Sequence, residues 1–123
     1  MNMPVVRARL PAVTERVRSV LGAALGVLLT AALSLWLSHD AAVWLVAPVG
    51  ASAVLVFTAP ASPLAQPWPV VVGNTVSALV GVICAHWLPG PMLAAALAVG
   101  LAIALMMLLR CLHPPGGAVA LLM

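Results

Sequence analysis

From Ala41 to Leu109 the chain carries no aspartate, glutamate, lysine or arginine, and apolar residues fill most of that length. A water-soluble domain of this size needs a polar surface, which so long a charge-free tract cannot supply. Hydrocarbon accepts such a tract if the backbone satisfies its own hydrogen bonds, and within a single run only a helix does that. The charges fall where this reading needs them. Arg7, Arg9, Glu15, Arg16 and Arg18 precede the first apolar run, Asp40 sits in a gap, and Arg110 follows the last full run. With 65% hydrophobic residues, 6% charged and a mean hydropathy of +1.24, the fold class is all-α, a polytopic membrane helical bundle.

Residues 1–18 read as a basic N-terminal arm and 19–123 as the membrane domain. At 1.5 Å per residue, about 20 residues cross a ~30 Å hydrocarbon layer. Spans are expected at 19–38, 41–59, 70–88 and 92–109, with the start of a further broken segment at 113–123. His39-Asp40 and Leu88-Pro89-Gly90-Pro91 make tight antiparallel turns. Pro48 and Gly50 interrupt the second span and predict a kink or half-helix between Pro48 and Ser52. Irregular backbone at that depth must be covered by protein or a water cavity. Prolines 60, 63, 67 and 69 stiffen the next loop, where Gln66 is the one amide side chain. Gly22, Gly26, Thr30 and Ser34 in span one, and Gly73, Ser77 and Gly81 in span three, form small-residue stripes expected to face each other. Asn74 is costly against lipid, so it either joins helices or lines a solute path.

The run Arg110-Cys111-Leu112-His113-Pro114-Pro115-Gly116-Gly117-Ala118 breaks the helix: prolines cannot donate backbone hydrogen bonds, and glycines let the chain turn. A helix restarting at Ala118 would offer unpartnered N–H groups to an anion or polar ligand, with His113 beside them. A plain helix stop at the membrane surface is the other reading. Pro48 to Leu55 aligns without gaps on Pro114 to Leu121, an offset of 114 − 48 = 66 residues. Two three-span units so related would form an inverted repeat with paired broken helices. A chance match in a Pro-, Gly- and Ala-rich chain is the alternative.

His113-Pro114-Pro115-Gly116-Gly117-Ala118, with Ala47-Pro48-Val49-Gly50-Ala51-Ser52 and Ser62-Pro63-Leu64-Ala65-Gln66-Pro67, resembles the HPP family of integral membrane proteins. Family members continue into further apolar segments, so the resemblance implies that this chain is truncated. A plastid branch of the family is associated with nitrite movement, and some members join the membrane unit to a soluble regulatory domain. The resemblance therefore implies a transporter or channel for a small polar solute or anion, or else a membrane scaffold or sensory anchor. The residues expected to meet solute are Pro48, Gly50, Ser52, Asn74, His113, Pro114, Pro115, Gly116 and Gly117.

No catalytic residue, cofactor or metal is expected. The imidazoles are His39, His86 and His113, and no Cys-x-x-Cys, His-x-x-x-His or paired-carboxylate pattern occurs. His39, Asp40 and His86 could gather a metal at one face, although simple interfacial solvation explains them. Cys84 and Cys111 read as small apolar residues on opposite sides. The arginines stand beside a hydrophobic segment without any lysine, which suits a bilayer rather than nucleic acid. The expected partners are thus the lipid bilayer, a small anion and a second copy of the chain. Arginines before span one and after span four place both ends in the cytoplasm of a multi-pass cell-membrane (inner-membrane) protein. Trp36, Trp44 and Trp87 then lie at the outer boundary and Trp68 at the inner one.

Overall fold

The structure, a computed structural model, describes residues 12–39 and 47–122. Arg7, Arg9, Asp40, Trp44 and the beginning of the second span lie outside the described residues. Among those described, the chain is helical and contains no strand.

Helix α1 spans Val13–Ser38, about 39 Å and longer than the hydrocarbon layer. It begins ahead of the uncharged run because Glu15 reaches back to accept from the Ala12 N–H at 3.1 Å, holding the first turn. Residues 13–18 of the expected arm are therefore the opening turns of the spanning helix. α1 ends at His39, whose left-handed φ of 59° directs its N–H to the Leu35 carbonyl.

Helix α2, Ala47–Thr58, has 12 residues, about 18 Å. The described stretch is shorter than a membrane crossing, and Pro48 is the second residue of it. The loop that follows is knit by its own side chains. Ser62 Oγ accepts from the Leu64 N–H at 3.2 Å, and Gln66 Nε2 donates to the carbonyls of Pro60 and Ser62 at 3.0 and 3.1 Å. A 3₁₀ turn, Pro63–Ala65, carries the chain inward and buries Ala65. A π turn, Pro69–Gly73, then leads into α3, Asn74–Trp87. Side chains add to the backbone bonds of this π turn: Asn74 Nδ2 and Thr75 Oγ1 donate to the carbonyls of Val70 and Val71 at 2.8 Å each, and Val71 also accepts from the Asn74 N–H.

Gly90, at φ 90°, makes the turn into α4, Pro91–Leu108. Helix α4 buries Ala94, Ala98, Ala102 and Met106, one residue per four, so its inner face is a stripe of alanines. That stripe packs on the Ser77, Val80, Gly81 and Cys84 face of α3. The expectation that the small stripes of spans one and three face each other is thereby corrected. The short 88–90 turn makes α3 and α4 antiparallel neighbours, and the Ala stripe supplies the close approach. The glycines of α1 meet Phe57 of α2 instead: a methyl on Gly22 would lie 2.6 Å from Phe57 Cδ1. Finally α5, Pro115–Ala120, turns back against α2, α3 and α4.

Among the described residues, three helical stretches are long and apolar enough to cross a membrane: Val13–Ser38, Pro69–Trp87 and Pro91–Leu108. The start of α1, the end of α2, the start of α3 and the end of α4 share one end of the bundle. Trp68 Nε1 donates to the Leu109 carbonyl at 3.3 Å there, and Arg16, Arg18 and Thr58 line a common cleft. Trp36 and Trp87 close α1 and α3 at the opposite end.

Candidate functional site

The break after α4 is made by backbone geometry before the prolines are reached. Arg110 adopts a left-handed φ of 53°; its N–H bonds the Met107 carbonyl at 3.2 Å and the Cys111 N–H bonds Met106 at 2.8 Å. This paired stop is usually built on glycine. It turns the chain inward, so that Cys111 and His113 become fully buried.

His113 then sits where three elements meet. Its Nδ1 is 2.9 Å from the Leu64 carbonyl oxygen and its Nε2 is 2.9 Å from Ser52 Oγ. A carbonyl only accepts, so Nδ1 carries the proton; in the neutral ring Nε2 is then the acceptor and the Ser52 hydroxyl donates to it. The ring thus ties α2, the proline-rich loop and the α4–α5 connection together. Each of the three motifs that carried the family resemblance contributes one group to this junction: Ser52, the Leu64 oxygen, and His113.

The junction depends on glycines beneath it. A Cβ on Gly73 would lie 2.6 Å from the Cys111 carbonyl oxygen and 3.0 Å from His113 Cβ, while one on Gly116 would lie 2.7 Å from Ser77 Oγ. Backbones cross here with no room for a methyl. Ser77, also fully buried, directs its hydroxyl to Met106 Sδ at 3.6 Å.

The helix restarts at Pro115 rather than Ala118, because Pro115 fits the first helical position. This alters the expected donor cluster. Gly116 N–H bonds the His113 carbonyl at 2.9 Å and Gly117 N–H bonds Pro114 at 3.1 Å, so those two amides are already occupied. His113 and Ser52 are brought together, with Pro115 and Gly116 buried beside them. Pro48 is buried at the start of α2, whereas Gly50 and Gly117 face open space. Pro114 is exposed. Asn74 bonds within its own helix through Nδ2, and its buried Oδ1 has no hydrogen-bond partner. The sequence places Gly73 in a close-packing stripe without showing that it meets Cys111 and His113, and the Leu64 carbonyl is a backbone group that no side-chain pattern announces.

The 66-residue offset pairs Pro48, inside α2, with Pro114, which stands just before α5, so the proline placement differs by one position between the two segments; α2 and α5 are in contact. Among the described residues no cluster of three His, Cys, Asp or Glu could hold a metal; Asp40 lies outside them. His86 stacks edge-on with Trp87, centroids 5.9 Å apart. Cys84 and Cys111 are both buried free thiols.

The transmembrane region of the HPP family matches residues 8–123. Two transmembrane proteins of Dictyostelium discoideum are similar: one is 48% identical over 84 residues and the other 45% over 82. These alignments cover 65% and 63% of this chain but 27% and 29% of the relatives, so the chain spans less than a third of their length. No solved structure matches.

Proposed function

Starting from the chain's membership of the HPP family of transmembrane proteins, we propose that it acts, without enzymatic chemistry, in a transporter or channel for a small polar solute or anion. The observation that carries this reading is the convergence of α2, the connection into the short helix α5 and an inward-folded loop on one buried imidazole. Interrupted backbone inside a bilayer is expensive, and paired half-helices within a bundle are a known way to build a solute pathway. The solute would meet the hydroxyl of Ser52 and the ring of His113 when the junction opens. The orphan acceptor of Asn74 would lie along the same route. Both basic ends would face the cytoplasm and the protein would reside in the cell membrane, since the arginines mark a single end of the bundle.

The test is nitrite flux into sealed vesicles carrying the purified chain. Uptake above protein-free vesicles that is reduced by Ser52→Ala supports the reading, and uptake equal to that of protein-free vesicles refutes it. One observation favours a second reading, a non-transporting membrane scaffold: both ring nitrogens of His113 and the amides of Gly116 and Gly117 are fully engaged. A scaffold would keep that network closed and pass no solute.

A further inference from the structure

A cleft of about 700 Å³ opens between α1 and α2 at the basic end of the bundle, lined by none of Ser52, Leu64 and His113. Its mouth carries Arg16, Arg18 and Thr58, and its inner wall is Gly22, Val56 and Phe57. The wall exists because glycines let the ring approach the helix: a Cβ on Gly22 would lie 2.6 Å from Phe57 and one on Gly26 3.2 Å. Glu15 also borders the cleft, but its carboxylate reaches back to the Ala12 N–H. Among the described residues the mouth thus carries the charges of Arg16, Arg18 and Glu15, a net excess of one positive charge.

We infer that this cleft binds an anionic phospholipid, with the phosphate at Arg16 and Arg18 and the upper acyl chain along Gly22, Val56 and Phe57. The argument is one of matched chemistry and depth. Arginine pairs with phosphate through planar, charge-assisted hydrogen bonds, and basic residues at the end of a membrane helix sit at headgroup level. A soluble anion would leave the apolar wall unused, and a zwitterionic lipid would bring a cation into an already positive mouth. An anionic lipid satisfies both halves.

The experiment is native mass spectrometry of the purified chain in detergent, with phosphatidylglycerol, phosphatidylcholine or glycerol 3-phosphate added. The parent is expected to retain phosphatidylglycerol over phosphatidylcholine by a factor on the order of ten, given two arginines near the surface. The double variant Arg16→Gln/Arg18→Gln should lose that preference. Arg110→Gln, which removes a charge at the same end but outside the cleft, should keep it. Thr58→Trp should fill the mouth and lower bound lipid with every charge intact. Each ratio is read within one variant, so a change in protein yield does not disturb it. Equal retention of the two lipids by the parent, an undiminished preference in the double variant, or unchanged binding by Thr58→Trp overturns the assignment. Competition by glycerol 3-phosphate as strong as that by the lipid would make this a soluble-anion site and overturn it equally.

Discussion

The Nδ1 atom of His113 lies 2.9 Å from the carbonyl oxygen of Leu64, two residues separated by 49 positions. That single bond fixes the imidazole tautomer and aims the other ring nitrogen at Ser52. It predicts that ¹⁵N spectra of the protein show a protonated Nδ1 and an acceptor-type Nε2 for His113 in its neutral form. The opposite assignment would set a lone pair against a carbonyl and contradict the geometry.

Removing groups from this junction has a graded cost. Ser52→Ala leaves Nε2 without its donor and is expected to cost about 1 kcal/mol; His113→Leu strands both Ser52 and the Leu64 oxygen and should cost ~2 kcal/mol. Unfolding in detergent, followed by circular dichroism, measures both. Equal stability of both variants and the parent would mean that the two bonds contribute nothing net.

The glycines divide sharply into two classes. Gly73→Ala and Gly116→Ala place a methyl within 2.6 and 2.7 Å of a neighbouring oxygen, and overpacking of this kind costs ~1 to 3 kcal/mol. Gly50→Ala meets nothing within 4 Å in α2, where exchanging glycine for alanine stabilises a helix by about 0.5 to 1 kcal/mol. Thermal midpoints should move in opposite directions for the two classes.

Arg110 holds a left-handed backbone that disfavours any side chain by ~1 to 2 kcal/mol. Arg110→Gly is therefore expected to raise the melting midpoint despite losing a charge. A lower midpoint would show that the guanidinium contributes more to folding than the strain removes.

The spans and the interruptions were legible because they are written in side chains: uncharged runs for the helices, prolines and glycines for the breaks. The turn at Gly90 follows directly from that pattern. Partner choice between helices was less legible, since alanines 94, 98 and 102 pass as ordinary membrane composition until their fourfold spacing is set against α3. The stop at Arg110 lacked its usual glycine, and the Leu64 carbonyl has no side-chain signature at all. The expected anion cradle was misjudged because the amides of Gly116 and Gly117 close onto the turn immediately behind them. Gly116 substitutions are also disqualified as probes of ligand binding, since a Cβ there would lie 2.7 Å from Ser77 Oγ and disturb packing first.

Sidedness is open to chemical labelling. With buried Cys84 and Cys111 unreactive, a thiol introduced at His39 should react from the extracellular side and one at Gln66 from the cytoplasmic side. The reverse pattern would invert the proposed orientation.

The central claim, that the His113 junction lies on a solute path, is tested most directly by nitrite flux into sealed vesicles for the parent and His113→Gln, each first shown to be folded by its melting curve. Glutamine retains a donor for the Leu64 oxygen but cannot restore the ring between it and Ser52. The account predicts that the folded variant loses most of the parent's flux. A folded His113→Gln protein that passes nitrite as fast as the parent would contradict it and leave the imidazole as a structural tie alone.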